Sequence, residues 1–254
     1  METSPGEIMV AQAAREIADG ETVFVGMRLP LIAFVVAKRT HAPTATGLFE
    51  LGVMRDAPAA ELLYTMGDTP NVRGAVWCAR TVDLMGLLQR GEVDAGFIGG
   101  AEMDRHGNLN TTAIGADRTH PSVQLPGSGG GADIASLAKR LIVIMPHDKK
   151  RLREKVDFIT SPGYGDGGDW RTRVGLPRGG PAVLITTLGV FRFVAGEAVL
   201  ASHHPGTTVA ACVANTGWPL RVSPDVRETQ PPSAEMLRII RDYDPQGFWT
   251  RRGE

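Results

Sequence analysis

The sequence predicts an α/β fold, an open and mostly parallel sheet flanked by helices, on two observations. Strand-like and helix-like segments alternate from the N-terminus to about residue 146, and the strand segments are short continuous apolar runs rather than alternating ones. Alternation of this kind implies parallel strands joined by helical crossovers.

Ser4-Pro5-Gly6-Glu7 supplies a serine N-cap, a proline at the first helical position and a glutamate placed for a capping box, so a helix is expected from there to Gly20. Glu21 to Met27 (ETVFVGM) follows as a β-branched and aromatic strand. LPLIAFVVAKRTH, from Leu29, opens with a proline in its first turn and reads as a mostly buried helix, and ATGLFE, from Ala45, as a buried strand. After a loop containing Pro and Asp come GAVWCA as a strand with Cys78 as buried filler, TVDLMGLLQRG as an amphipathic helix closed by Gly91, and VDAGFIGG as a further buried strand. GADIASLAKR (131–140) and LIVIMP (141–146) add one more helix and strand.

Beyond Val156 the chain becomes a long Gly-, Pro- and Asp-rich loop whose Tyr164 and Trp170 argue for packing. VLITTLGVFRF and AVLASHH then read as an antiparallel hairpin around a VAGE turn. TVAACVANTG is a short helix, and SAEMLRIIRDYDP a final one with Ser233 as its cap. With no internal repeat and no separating linker, residues 1–254 are expected to form a single domain.

Lysine plus arginine (27) nearly cancels aspartate plus glutamate (28), so no one-sign field points to nucleic acid or an anionic membrane. The longest apolar run, Leu29 to Ala37, is too short to cross a bilayer. The N-terminus has no secretory pattern, and two distant cysteines, Cys78 and Cys212, make no disulfide framework; both point to the cytoplasm. His41, His120 and His147 are scattered, and His203 and His204 point to opposite faces of a strand, so no metal site is expected. A serine nucleophile elbow is absent too.

Four stretches hold the chemistry. Glu50 closes an apolar strand just before Gly52, at the position where α/β sheets bind ligands, so it either acts on substrate or forms a salt bridge with Arg55 or Arg28. A buried strand ends in Gly99-Gly100 and runs into a polar turn, Asp104 to Asn110, where His106 reads as a surface histidine. The segment from Gly127 through Ser128, Gly129, Gly130 and Gly131 fits G-x-G-x-x-A with Ala132, but no strand feeds its first glycine, so a dinucleotide site is rejected. Its glycines instead free backbone amides to face an anion or a developing oxyanion. The basic run from His147 to Asp157 is either a solvated face or a contact for a phosphorylated cofactor.

Taken in order and spacing, Glu50-Leu51-Gly52-Val53-Met54, Gly99 to Asn110, Gly127 to Ala132 and Lys155 to Gly163 resemble the β subunit of family I CoA-transferases, most strongly the B subunit of glutaconate CoA-transferase. The resemblance spans nearly the whole chain and implies a NagB/RpiA/CoA-transferase-like fold. It implies Glu50 as a nucleophile that passes through a mixed anhydride to a glutamyl-CoA thioester, with the 127–131 loop as oxyanion and CoA site. Gly52, Arg55, Gly99 and Gly100 then fall at the substrate pocket, Arg55 as a partner for a second carboxylate of a dicarboxylic acyl group or for Asp56. No cofactor is implied as permanently bound, since coenzyme A is a substrate. The implied partner is a homologous α subunit, in a heterotetramer or larger assembly, without which the chain is inactive. The related subunit carries serine after its glutamate where this chain has Leu51. Relatives on the scaffold hydrolyse steroid rings or decarboxylate acyl-CoA, and tend not to keep the glutamate. The alternatives are therefore an acyl-CoA hydrolase or decarboxylase with Glu50 as general base, and a non-catalytic CoA-binding subunit.

Overall fold

The computed structural model describes residues 3–115, 117, 119–176 and 178–251. They form two compact units, one built from the chain up to Phe97 and again from Gln230, the other from Ile98 to Thr229.

The first unit runs α1 (Pro5–Arg15), β1 (Thr22–Phe24), α2 (Leu29–Arg39), β2 (Thr46–Phe49), β3 (Val53–Arg55), α3 (Thr69–Val72), β4 (Trp77–Cys78), α4 (Thr81–Arg90) and β5 (Ala95–Ile98). The Ser4 hydroxyl accepts from the Glu7 amide at 3.2 Å while the Glu7 carboxylate accepts from the Ser4 amide at 2.8 Å, closing the capping box that the sequence predicts. Helix α2 is apolar on every side, with Leu31 through Ala37 buried. Gly47 in β2 is what allows the close approach, because a Cβ there would stand 2.8 Å from the Phe34 ring. Strand β1 pairs in parallel with β2 and with β5.

From β2 onward the unit departs from the expected helical crossovers. Phe49 pairs with Val53, leaving only Glu50, Leu51 and Gly52 to connect two strands, so β3 must return antiparallel, and β4 follows suit. Cys78, expected to be buried, is exposed, since β4 is a two-residue strand at the sheet edge with both residues open to solvent. Helix α4 ends as read, on Gly91 at φ 78°.

The second unit contains β6 (Glu102–Met103), β7 (Leu109–Asn110), β8 (Ala113–Ile114), β9 (Val123–Gln124), α5 (Gly131–Leu137), β10 (Arg140–Ile144), α6 (Trp170–Arg173), β11 (Pro181–Ile185), β12 (Gly189–Val194), β13 (Glu197–His203), α7 (Val209–Ala214) and β14 (Arg221–Glu228). Strands β10 and β11 are parallel, β11, β12 and β13 form an antiparallel meander, and β14 joins β13 in parallel, so pairing is mixed. The VAGE turn is present: Val194 pairs with Glu197, and Ala195 and Gly196 both take positive φ. VLITTLGVFRF is two strands rather than one, divided where the Thr186 hydroxyl accepts from the Leu188 and Gly189 amides.

The long loop is organised by Arg171. Its guanidinium, 6% exposed, donates to the carbonyls of Ala135, Ser136, Gly163 and Arg178 at 2.8–3.2 Å. Trp170 closes over Gly165, where a Cβ would meet the indole at 2.1 Å.

Returning to the first unit, α8 (Ala234–Tyr243) starts on Ser233, whose hydroxyl accepts from the Met236 amide, and buries Met236, Ile239, Ile240 and Tyr243. Arg241 from its last turn meets the α1 capping residue, Nε standing 2.7 Å from Glu7 Oε1. Among the described residues no helix is long and apolar enough to cross a membrane.

Candidate active site

Glu50 stands where β2 ends. The Gly52 amide donates back to the Phe49 carbonyl at 2.9 Å, and the Gly52 carbonyl accepts from the Ala79 amide at 2.8 Å, so the three-residue turn is held from both sides. Gly52 takes φ +102°, and a Cβ there would lie 2.0 Å from the Ala79 carbonyl oxygen; only glycine fits. The turn leaves Glu50 half-buried and Leu51 56% exposed. The two hydrogen bonds fix the backbone from which the Glu50 side chain extends, so its reach is defined, which suits a nucleophile or a base.

The two arginines expected as salt-bridge partners for Glu50 have contacts of their own. Arg28, at φ 66° before α2, lies over the Trp249 ring at 5.5 Å. Arg55 is 4% exposed and donates to the carbonyls of Ala57, Pro58, Pro70, Asn71 and Arg73 at 2.5–3.3 Å. The clamp for a second substrate carboxylate therefore gives way to a structural role in which Arg55 gathers residues 57–73 by their backbone, while the Asp56 charge also acts on its guanidinium. Burial of the guanidinium pulls its pKa down from the ordinary value. Arg55→Leu strands five carbonyls and is expected to cost about 3 kcal/mol, a fall of about 10 °C in thermal midpoint. Relative rates with mono- and dicarboxylic acyl-CoAs should stay the same in that variant; a selective loss of the dicarboxylic substrate would restore the clamp.

In the second unit, Gly99 and Gly100 are packing glycines. A Cβ at Gly99 would meet the Ile144 carbonyl oxygen at 3.1 Å, and one at Gly100 the Leu109 side chain at 2.9 Å. The polar turn after them is the β6–β7 hairpin. Asp104, buried, accepts from the amides of His106 and Asn108 and from the Asn108 side chain, and desolvation raises its pKa. His106 is half-buried rather than on the surface, its Nδ1 2.9 Å from the Gly196 carbonyl. Glu102, 2% exposed, forms an ion pair with Arg153 and accepts from Asn110 Nδ2 at 2.7 Å and the Asp157 amide at 3.0 Å. Arg153 thereby leaves the basic run as a structural residue, and His147 turns inward, while Lys149 and Lys150 are exposed.

The 127–131 loop is partly engaged. The Gly127 amide donates to the Thr111 carbonyl and the Gly131 amide to the Ser128 carbonyl, both at 2.8 Å. Neither amide remains to meet an oxyanion, which corrects the expectation for those two residues. They serve the shape of the loop instead: Gly127 takes φ +96° and Gly129 φ +47°. Ser128 and Gly129 are exposed, and their amides carry what is left of the anion-binding expectation. Among the described residues no three His, Cys, Asp or Glu side chains converge as a metal site would require.

The sequence profile of the family described as coenzyme A transferase matches residues 7–215. The chain belongs to the coenzyme A transferase family. This CoA-transferase chain is 38% identical over 241 residues to the B subunit of 3-oxoadipate CoA-transferase of Pseudomonas knackmussii, covering 94% of this chain and 92% of the relative. It is 36% identical over 250 residues to the B subunit of glutaconate CoA-transferase of Acidaminococcus fermentans, with the same coverage. The crystal structure of glutaconate coenzyme A-transferase from that organism superposes with a TM-score of 0.92, at 32% identity and 98% coverage of both chains. The decarboxylase AibA/AibB superposes with a TM-score of 0.84 at 31% identity and 97% coverage of both chains. The α/β fold read from the alternation of elements is thus that of the family, and coenzyme A is its substrate.

Proposed function

We propose that this chain is the β subunit of a two-subunit, cytoplasmic CoA-transferase that moves CoA between an acyl-CoA and a carboxylic acid through a glutamyl-CoA thioester on Glu50. The observation that carries the reading is the locked Glu50 turn: a CoA-transferase chain presents a half-buried carboxylate at a strand end, on a turn that Gly52 alone permits. The partner, an α-type subunit, is inferred from relatives that are themselves named as B subunits. Two of those names, 3-oxoadipate and glutaconate, are dicarboxylates, and we take the acyl group to be of that class.

The chemistry balances without an external energy source. A Glu50 carboxylate oxygen attacks the thioester carbonyl, the C–S bond breaks, and CoA leaves as thiolate from a mixed anhydride. The thiolate attacks the Glu50 carbonyl carbon, expelling the original acid and leaving Glu50 as the CoA thioester. The incoming carboxylate attacks that carbonyl, the thiolate returns to the new acyl group, and Glu50 is released as a carboxylate. Glutamate suits this exchange because every intermediate joins carboxyl carbons of similar kind. A single backbone amide aimed at a tetrahedral oxyanion lowers the barrier by about 3 to 4 kcal/mol, and the exposed Ser128 and Gly129 are proposed as contacts for acyl-CoA.

Trapping tests this. After the assembled enzyme is incubated with acyl-CoA, hydroxylamine should convert Glu50 to a hydroxamate, read as a mass change on the peptide that contains it. Product formed with Glu50 unmodified would refute the thioester. It would favour the second reading, for which the likeness to a decarboxylase speaks, of Glu50 as a general base.

A further inference from the structure

We propose that Ser161 is a positioning residue for acyl transfer, its hydroxyl engaging the backbone of the Gly127–Gly131 loop only as bound acyl-CoA reaches the transition state. The inference rests on the reading that this loop contacts acyl-CoA. Ser161 is 1% exposed and its Oγ has no hydrogen-bond partner, the one serine hydroxyl in that state among the described residues. Its place is fixed by its own backbone, whose amide donates to the Leu109 carbonyl at 3.1 Å and whose carbonyl accepts from the Leu109 amide at 2.9 Å. The hydroxyl faces the loop: Oγ lies 3.1 Å from where a Cβ on Gly131 would stand, so nothing larger than glycine sits easily between them.

The neighbouring side chain holds the other end of the same loop. Thr160 Oγ1 accepts from the Thr111 amide at 2.9 Å and shares a hydrogen bond with Thr112 Oγ1 at 2.7 Å. The carbonyls of those two residues receive the Gly127 amide at 2.8 Å and the Leu125 amide at 2.9 Å. Below them, Asn110 Oδ1 accepts from the Thr112 amide, and Asn110 Nδ2 donates to the buried Glu102. Thr160 and Ser161 thus flank the loop at its start and its end, the first with its bonds already made and the second with its bond unmade.

A buried hydroxyl without a partner weakens the resting fold, and replacing it by a methyl group is ordinarily neutral or stabilising. Such a group is informative if its bond forms only on the reaction path. An interaction absent in the free enzyme and present in the transition state raises kcat with little effect on KM. The hydroxyl is closed to solvent and stands against Gly131, so the partner it gains must come from within the fold, and the loop backbone is the polar group we assign to it.

The test is Ser161→Ala in the assembled two-subunit enzyme. The thermal midpoint should be unchanged or raised, kcat should fall about tenfold, and KM for acyl-CoA should stay within about threefold. Wild-type kcat in the alanine variant would overturn the proposal, as would a loss of kcat that comes with a lowered midpoint. Hydroxylamine trapping in the wild-type enzyme is run alongside. Trapping on Glu50 with full activity in Ser161→Ala sinks this inference alone, whereas no trapping in the wild type removes the thioester reading and this inference with it.

Discussion

Replacing Glu50 by glutamine in the assembled enzyme is expected to lower kcat by about a thousandfold or more while the variant still binds acyl-CoA. The amide has the shape of the carboxyl group and fits the same turn, so the Gly52 hydrogen bonds to Phe49 and Ala79 persist. What is lost is the anionic oxygen that attacks the thioester. Glu50→Asp keeps that oxygen but withdraws it by one methylene from a turn whose backbone is pinned on both sides, and a misplacement of that size costs on the order of a hundredfold. The ordering, glutamine below aspartate below wild type, is measured as steady-state exchange between an acyl-CoA and a labelled acid. Full-speed exchange by the glutamine variant would remove Glu50 from the covalent path, and a general-base role along with it.

The position of Glu50 was legible because two signals coincide at one place: an apolar run interrupted by a charge, and a glycine two residues on where the chain must turn. Strand β3 directly after it was not, since Val53 to Arg55 is too short for any period to emerge, and so the hairpin passed for part of a loop. The same limit hid β14, where Pro224 and a largely exposed run suppress the alternation that marks a strand.

Arg55 and Arg171 show a different kind of loss. An arginine in a loop reads as a solvent-facing charge, because charged residues are seldom fully buried. Both instead turn inward and satisfy backbone carbonyls at helix C-termini and in loops, which lack donors within their own element. Composition cannot announce that, since the demand arises from how the loop closes. The glycine loop precedes α5, and which of its amides are spent depends on Thr111, sixteen residues upstream of Gly127 and reached only through the fold.

Acid should destabilise the second unit through two buried histidines that take no part in the proposed chemistry. His147, 8% exposed, sets Nδ1 3.0 Å from Thr186 Oγ1 and Nε2 3.2 Å from the Cys212 carbonyl and 3.1 Å from Thr216 Oγ1. His204, 1% exposed, sets Nδ1 3.1 Å from Thr229 Oγ1 and Nε2 2.8 Å from the Thr186 carbonyl. Desolvation brings each imidazole down to about 4 from 6.5; Asp148 draws His147 slightly upward, while His204 on His147, and His203 on His204, push the other way. A histidine that is harder to protonate folded than unfolded leaves the unfolded chain holding more protons between those two values. Stability is therefore unaffected by these groups above about pH 7, falls as pH drops from 6.5 towards 4, and levels off below that. Each contributes about 2 to 3 kcal/mol of loss by pH 4, a large share of an ordinary folding free energy. Asp104, whose pKa burial raises, works in the opposite sense and offsets part of the fall, because its neutral form is favoured in the folded state. Urea unfolding midpoints measured between pH 8 and pH 4.5 should decline mainly below pH 6.5, and the decline should flatten in the His147→Gln/His204→Gln double variant. An equally steep decline in that variant would assign the acid sensitivity to other groups.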